Sequence, residues 1–333
     1  MKRRVLITGM GVISAIGTGK QSFLEGLKTG KDGVTSIPYF DTSDYALDKA
    51  AIVEGFDESD YKMKDSSVET ERANVYALHA AKEAVIDSGL DFSTIDHDMV
   101  GVSLATSLAS FAHKDVFNSQ VFHKGYEGAD PTLMMDTCST AAGVLAKEYD
   151  AYGPSVTIST ACASGSNSIG CAYDLISDGT CDIMITGGVD PFSRLSYSGF
   201  LSLHTISKTT IRPFDETREG IDIGEGAAIL ILEDMESALK RGAHIYAEVL
   251  GYGISNDAYH ATSPDPMSGG AIRAINMCLD QAGIQPEDIN YINAHGTGTR
   301  FNDQMELRAI KTVFGESAQL NLFWVILSGV PAA

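Results

Sequence analysis

The chain has 333 residues, of which 44% are hydrophobic and 20% charged, and this balance is typical of a globular protein with a substantial core rather than a disordered or collagen-like chain. Its 44 acidic residues against 24 basic ones give a net charge of −20, which disfavours nucleic acid and anionic membranes as partners. Five cysteines without a CxxC pair argue against a disulfide framework and a structural zinc site, and favour the reducing cytoplasm.

The N-terminal sequence MKRRVLITGMGVISAIG has two interpretations. A basic start followed by an apolar run resembles a secretory signal. Three glycines and the alternation of Val5 and Ile7 favour a buried strand and turn instead. No apolar run reaches the roughly 18 residues of a membrane helix. We therefore expect a first strand here.

The predicted elements occur twice. RRVLITGMGV carries Gly9 and Gly11, and AEVLGYGIS carries Gly251 and Gly253. Later in each half an amphipathic helix, YALHAAKEAVIDSG or AIRAINMCLDQAG, ends at a glycine and leads through an acidic turn to a short apolar strand, MVGVSL or YINA. Repeated strand, helix and strand units predict parallel pairing and a layered α/β protein built from two similar halves.

The two halves differ in length. We place the first half at residues 1–245, with insertions at about 39–68 and 109–150 that are rich in Ser, Asp and Gly. The second half occupies residues 246–316 and is incomplete by comparison. No low-complexity linker separates them, which predicts that they share one packed body.

One cysteine lies at a predicted strand-to-helix corner. The buried strand GPSVTI runs directly into STACASGSNSIGCAYDLI, whose small residues fit a helix from Ser166 onward. Backbone N–H groups at a helix start favour negative charge, so we expect the Cys162 thiol to have a lowered pKa and its neighbouring N–H groups to bind an oxyanion. A buried, inert cysteine is the alternative.

A nucleophilic thiolate needs a base or hydrogen-bond donor, and NAHGTGT places His295 directly after the predicted strand YINA. Glycines and threonines around it are poor core material, which favours a functional histidine over a structural one.

Between these motifs, IRPFDETREGIDIGEGAAILILE combines a charged loop, a Gly-rich turn and a strand. Gly224 and Gly226 could be a phosphate cradle, but they lack the spacing of the known nucleotide-binding motifs.

With STACASG, RPFD, REG, GEGA and NAHGTGT in this order, the chain resembles the β-ketoacyl-acyl carrier protein synthases, in particular the KAS II type. The resemblance covers residues 2 to about 316. It implies a thiolase-like α/β fold with alternating layers of helix and sheet from two duplicated halves. It also implies a homodimer or a heterodimer with a related subunit, acting in fatty-acid or polyketide biosynthesis.

The same resemblance implies a role for individual residues. Cys162 would take an acyl chain from the phosphopantetheine arm of an acyl carrier protein, and His295 would help to decarboxylate the malonyl group. Thr297 and Thr299 match the threonines that bind the pantetheine arm, and Glu306 matches a supporting acidic residue. No metal, nucleotide or other cofactor is required. Because the carrier is acidic, its docking site would be a local basic cluster, with candidates Lys62, Lys64, Arg72, Lys124 and Arg212.

The last residues, 317–333, do not match the family, whose members continue with a lysine and a second histidine. Reading one base out of frame can yield SSTKSILGHTLGGAG: Trp324 is always TGG and Val325 begins with GT, so their overlap must encode glycine. We therefore predict an out-of-frame tail, which sequencing the gene tests. A chain ending in this way would lack half of a two-histidine site, so its condensation activity would be impaired.

Three alternatives remain open. A thiolase or a cysteine acyl hydrolase would use the same Cys162 and His295 pair, and an assay of malonyl decarboxylation separates these from a condensing enzyme. A non-catalytic chain-length partner subunit usually lacks the nucleophilic cysteine, which is present here. An inactive truncated product is the third.

Overall fold

The computed structural model describes residues 2–57 and 71–315. Its strands are β1 (Val5–Ser14), β2 (Gly17–Thr18), β3 (Val34–Ser36), β4 (Lys49–Ala51), β5 (Val100–Ala105), β6 (Ser155–Ile158), β7 (Ile183–Asp190), β8 (Gly226–Asp234) and β9 (Ala247–Val249). Its helices are α1 (Lys20–Thr29), α2 (Arg72–Ser88), α3 (Phe111–Lys124), α4 (Thr140–Glu148), α5 (Ser164–Ser177), α6 (Arg194–Ser202), α7 (Met235–Arg241), α8 (Gly269–Ala282) and α9 (Arg300–Phe314). None of these helices combines the length and hydropathy of a membrane span.

The described residues form two compact units. The first contains residues 2–57, 71–199 and 223–249, and the second contains Phe200–Asp222 and residues 250–315. The predicted out-of-frame tail, residues 317–333, lies outside the described residues. So do residues 58–68 of the insertion expected at 39–68.

The first unit is built around a seven-stranded sheet. Its strands run in the order β2–β1–β8–β7–β5–β6, and β9 also pairs with β1. Strand β5 is parallel to β6 and β7, whereas β8 is antiparallel to both β7 and β1. The predicted parallel pairing therefore holds for β5, β6 and β7. It is wrong for β1, because the neighbours of β1 are β2, β8 and β9, all antiparallel to it.

Helix α2 lies directly on β1, and two glycines make this possible. A Cβ atom on Gly9 would lie 2.2 Å from the carbonyl oxygen of Ala84, and one on Gly11 would lie 1.9 Å from that of Ala80. No real Cβ approaches a backbone oxygen so closely, so only glycine fits between this strand and this helix. The core beneath α2 is made of aliphatic side chains from the central strands: Ile13, Val100, Val102, Leu104, Ile183, Ile185, Ile229 and Ile231.

The second unit repeats this contact. A Cβ atom on Gly253 would lie 1.9 Å from the carbonyl oxygen of Ala274 in α8. The glycines that end α2 and α8, Gly89 and Gly283, both adopt the left-handed conformation, with φ of 65° and 67°. The predicted helices and their glycine ends are therefore confirmed, and the structure adds a glycine contact that both units share.

The strand predicted at YINA is wrong. Residues 291–294 have no strand assignment, and β9 covers only the first part of AEVLGYGIS. A strand exists only where a neighbour completes its hydrogen bonds. Within residues 250–315 no such neighbour is present.

Candidate active site

Cys162 lies at the predicted corner between a strand and a helix. Strand β6 ends at Ile158 and α5 begins at Ser164, so Cys162 sits in the short loop that joins them. Its thiol is free and its side chain is exposed. This corner was predicted from the change from β-branched to small residues, and that interpretation is confirmed.

The loop around Cys162 is held in an unusual conformation by hydroxyl and amide side chains. Ala161 has a φ of +52°, a left-handed conformation that costs a non-glycine residue about 1–2 kcal/mol. The hydroxyl of Ser164 donates to the Ala161 carbonyl (2.6 Å) and accepts from the Thr160 N–H (2.7 Å). The Asn167 side chain donates to the Thr160 hydroxyl at 2.8 Å. These contacts offset the backbone strain and fix the loop that presents the thiol.

Helix α5 is fixed against the sheet through a buried serine. The hydroxyl of Ser168, which is fully buried, donates to the Ser103 carbonyl at 2.6 Å and lies 3.1 Å from the Thr186 hydroxyl. Ser103 and Thr186 belong to β5 and β7. Because these hydrogen bonds are shielded from water, they set the position of the helix start, and with it the position of Cys162.

The expected lowering of the Cys162 pKa is wrong for this structure. Part of the side chain is open to solvent, but the surrounding protein reduces the hydration of a thiolate, and this burial raises the pKa. The backbone N–H of Cys162 opposes the effect, while the negative charge of Asp190 adds to it. Dipole reasoning from the helix start alone omitted both the desolvation and this neighbouring carboxylate.

In the second unit, Glu306 holds the loop that carries His295. One carboxylate oxygen accepts from the His295 N–H at 2.6 Å, and the other accepts from the Gly296 N–H at 2.9 Å. Glu306 lies on α9, so its carboxylate ties the loop to this helix. Charge-assisted bonds to backbone N–H groups are among the stronger hydrogen bonds in proteins.

Sequence reasoning missed a second carboxylate on the same helix, Asp303. It is 1% exposed, and it accepts from the N–H groups of Phe214 (2.7 Å) and Gly298 (3.2 Å). The guanidinium of Arg218 lies 3.4 Å from it. Asp303 thereby connects RPFD and REG to NAHGTGT. The spacing of Asp303 and Glu306, three residues apart on one helix face, was the signal that could have revealed this pair.

Gly298 also connects these motifs. Its φ is +74°, and a Cβ atom there would lie 2.5 Å from the carbonyl oxygen of Gly220, a residue of the REG motif. Thr297 and Thr299 flank this glycine, and their hydroxyl oxygens are 2.7 Å apart. Both are half-buried, and the Thr299 N–H donates to the Thr297 hydroxyl at 3.3 Å. Their binding of a pantetheine arm stays a prediction.

The imidazole of His295 is neutral near pH 7. Burial lowers its pKa, and the charges of Glu306 and Asp303 oppose this only in part. A neutral imidazole carries one N–H donor and one acceptor nitrogen. The side chain still reaches the surface of the second unit.

The Gly-rich turn around Glu225 is structural and does not form a phosphate cradle. The Glu225 carboxylate is completely buried, and it accepts hydrogen bonds from the N–H groups of Val53 (3.1 Å) and Phe192 (3.0 Å). The hydroxyls of Tyr39 and Tyr76 also donate to it, at 2.5 and 3.2 Å. A buried carboxylate would repel a phosphate, so this motif joins separate segments of the first unit.

One residue of the predicted docking cluster is engaged elsewhere. The guanidinium of Arg72 stacks 3.8 Å from the ring centre of Tyr39 and lies 3.6 Å from the Glu225 carboxylate, and its side chain is 22% exposed. Its assignment to a carrier-docking surface is therefore wrong. Lys62 and Lys64 lie outside the described residues.

Comparison with known proteins assigns the chain to a class. Residues 2–238 match the model for the N-terminal domain of beta-ketoacyl synthases, and residues 246–328 match the model for their C-terminal domain. The chain belongs to the beta-ketoacyl synthase family, which consists of condensing acyltransferases.

Individual relatives support this assignment. The chain is 39% identical over 324 residues to 3-oxoacyl-[acyl-carrier-protein] synthase 2 of Staphylococcus aureus (strain COL), covering 95% of this chain and 78% of that protein. The structure of the ishigamide ketosynthase/chain length factor is similar with a TM-score of 0.91 and 38% identity, over 95% of this chain and 79% of that one.

A type II PKS acyl-carrier protein in complex with its ketosynthase, bound to the hexaketide, gives a TM-score of 0.83 and 34% identity, over 95% of this chain and 78% of that one. These structures confirm the predicted thiolase-like α/β fold.

Proposed function

We propose that Cys162 is the acyl acceptor of a 3-oxoacyl-[acyl-carrier-protein] synthase. Its thiolate attacks the carbonyl carbon of an acyl thioester on the phosphopantetheine arm of a carrier protein. The carbon–sulfur bond to the carrier breaks, the carrier leaves as a thiolate that takes up the proton Cys162 released, and the acyl group remains on Cys162. The exposed thiol in a loop held by Ser164 and Asn167 supports this role most directly.

In the second step, a malonyl group on a carrier protein loses carbon dioxide. The electron pair of the broken carbon–carbon bond forms an enolate, which attacks the acyl carbonyl on Cys162 and expels the thiolate. The product is a β-ketoacyl chain on the carrier. We assign the stabilisation of the enolate oxygen to His295, whose lowered pKa keeps it neutral and able to donate a hydrogen bond.

The supporting residues follow from the same proposal. Glu306 orients His295 by binding two N–H groups of its loop. Thr297 and Thr299 supply hydroxyls for the pantetheine arm. The chemistry needs thioester substrates only, with no metal or nucleotide, and it fits a protein of the cytoplasm.

The proposed partners are an acyl carrier protein and a related synthase subunit. Solved relatives include a ketosynthase in complex with an acyl-carrier protein and a ketosynthase/chain length factor. The chain's net charge of −20 means that an acidic carrier must bind at a local basic surface.

Intact mass after incubation with an acyl-loaded carrier protein tests the first step. We expect the mass to increase by one acyl group and the increase to be lost in Cys162→Ala. Cys138→Ala is the matched control, because Cys138 is also a free, exposed thiol. An adduct that persists in Cys162→Ala, or that disappears in Cys138→Ala, contradicts the proposal.

A further inference from the structure

We infer that Asp190, the last residue of β7, is a positioning residue for the loop that carries Cys162, acting through the turn that follows β5. This inference rests on the proposed role of Cys162 as acyl acceptor. Asp190 does not belong to any of the motifs that carry the family resemblance, and its contacts join two turns that are far apart in sequence.

One carboxylate oxygen of Asp190 accepts three hydrogen bonds from the turn after β5. Its Oδ1 accepts from the hydroxyl of Thr106 (2.9 Å) and from the N–H groups of Ser107 (2.8 Å) and Leu108 (2.9 Å). Three donors on one carboxylate oxygen leave the turn little freedom, because any shift of its backbone lengthens several bonds at once.

The turn after β5 also contacts the loop that carries Cys162. The hydroxyl of Ser107 donates to the carbonyl of Ala161 at 3.2 Å, and its oxygen lies 3.5 Å from the hydroxyl oxygen of Ser164. The same Ala161 carbonyl accepts from Ser164 at 2.6 Å. Two hydroxyls therefore hold the peptide that precedes Cys162, and one of them is set in place by Asp190.

The strain at Ala161 explains why a tether is needed. A left-handed alanine relaxes toward ordinary backbone angles unless its surroundings prevent this. Rotation of that peptide would swing the Cys162 side chain away from its present direction. The contact from Ser107 opposes such a rotation from outside the helix, whereas the contact from Ser164 opposes it from within.

Asp190 also acts on the thiol by its charge. Burial is the main reason that the Cys162 pKa is raised, and the Asp190 carboxylate raises it further. The carboxylate is itself partly buried, and this desolvation raises its own pKa, but its three donors favour the charged form. Geometry and charge can be separated by mutation, since an asparagine keeps an oxygen for the three donors and removes the charge.

The experiment compares the full-length chain with Asp190→Asn, Asp190→Ala and Ser107→Ala, using Ser119→Ala, an exposed serine on α3, as the matched control. Two rates are measured: acyl transfer to Cys162 from a loaded carrier, and alkylation of Cys162 by iodoacetamide as a function of pH. Melting curves identify any variant that fails to fold.

We expect Ser107→Ala to slow acyl transfer about tenfold, which corresponds to about 1.4 kcal/mol of lost positioning, without moving the pH profile of alkylation. Asp190→Asn should move that profile to lower pH, so that alkylation at pH 8 is faster than in the wild type. Asp190→Ala should combine both effects. Ser119→Ala should change neither rate.

Wild-type transfer rates in both Ser107→Ala and Asp190→Ala overturn the positioning role, and an unmoved alkylation profile in Asp190→Asn overturns the influence of its charge. If Asp190→Ala does not fold, Ser107→Ala still decides the first point. Failure of the proposed function is a different result: the wild type would accept no acyl group, while alkylation would still report the geometry and charge around Cys162.

Discussion

The two units contain the same contact in different surroundings. In the first, Gly9 and Gly11 lie on a long strand against α2, inside a seven-stranded sheet. In the second, Gly253 lies equally close to α8, yet residues 250–315 include no strand. The helix and its glycine contact are therefore local properties that the sequence specifies, whereas strand structure depends on neighbours elsewhere in the chain.

The loops that carry Cys162 and His295 also differ in how they are held. Serine and asparagine side chains fix the loop of Cys162, while two carboxylates on α9 fix the loop of His295. The carboxylate of Asp190 acts on the loop of Cys162 only through Ser107, and its negative charge raises the pKa of the thiol. Carboxylates suit the histidine loop, because they bind its backbone N–H groups.

The largest expected effect comes from adding one methyl group at the repeated contact. Gly11→Ala and Gly253→Ala each place a Cβ 1.9 Å from a backbone oxygen, so the strand or helix must shift. We expect each to lower the free energy of unfolding by about 3 kcal/mol, measured by urea denaturation.

Gly143→Ala is the control for both substitutions. Gly143 lies within α4, and a Cβ atom there meets nothing within 4 Å. Alanine favours helix, so this variant should be slightly more stable, by about 0.5–1 kcal/mol. If Gly253→Ala behaves like Gly143→Ala while Gly11→Ala does not, the two contacts are not equivalent and the comparison of the units fails.

The next prediction concerns how the stability of each unit depends on pH. In the first unit, burial raises the pKa of Glu71 to about 7, and the charge of Asp136 adds to this, while His113 and the Ser110 N–H oppose it. The folded state holds this proton more tightly than the unfolded state, whose carboxyl has a pKa near 4.5. Its contribution to stability is therefore complete below pH 4.5 and is lost as pH rises to about 7.

Glu71→Gln removes this titration and keeps an acceptor for the Ser110 N–H, which lies 3.1 Å from the carboxylate. Relative to the wild type, we expect the variant to gain about 2.5 kcal/mol between pH 5 and pH 8, by urea denaturation at both values. The exposed Glu25→Gln should show no such gain. Equal pH dependence in Glu71→Gln and wild type would refute this assignment.

The second unit should respond in the opposite sense. Because the pKa of His295 is lowered from 6.5, the folded state binds its proton less tightly than the unfolded state. Stability from this group is present above pH 6.5 and decreases as pH falls through the folded pKa. Hydrogen exchange of amides in α9 and α2, compared at pH 5 and pH 7, would show whether the two units diverge.

The smallest effect concerns the histidine loop. Glu306→Gln leaves one acceptor for two N–H groups, His295 and Gly296, and the loss of one hydrogen bond should cost about 1 kcal/mol. Glu287→Gln makes the same chemical change at an exposed position and should be neutral. In Glu306→Gln we expect faster amide exchange confined to residues 294–299. Unchanged exchange there would show that Glu306 does not hold this loop.

Much of the fold follows from local patterns in the sequence. Periodicity and glycine ends located α2 and α8, and the change from β-branched to small residues located the corner at Cys162. The strand predicted at YINA was wrong, because so short a stretch becomes a strand only beside a partner.

The site was harder to predict where its contacts span long distances in sequence. Asp190 binds a turn more than eighty positions away, Asp303 binds the N–H of Phe214, and Glu225 joins four segments. Apart from the three-residue spacing of Asp303 and Glu306 on α9, no local pattern reveals such carboxylates, because most of their partners are backbone N–H groups that every non-proline residue carries. The raised pKa of Cys162 could not be predicted from the sequence for the same reason, because its causes are burial and the charge of a residue distant in sequence.

The left-handed backbone of Ala161 restricts which sequences can occupy the position before the thiol. Glycine adopts this conformation freely and asparagine tolerates it, whereas valine, isoleucine and threonine do not. A saturation library at this codon, sorted for folded protein, should be depleted of β-branched residues and enriched in glycine. Diversity aimed at new starter groups is therefore better introduced elsewhere in the chain.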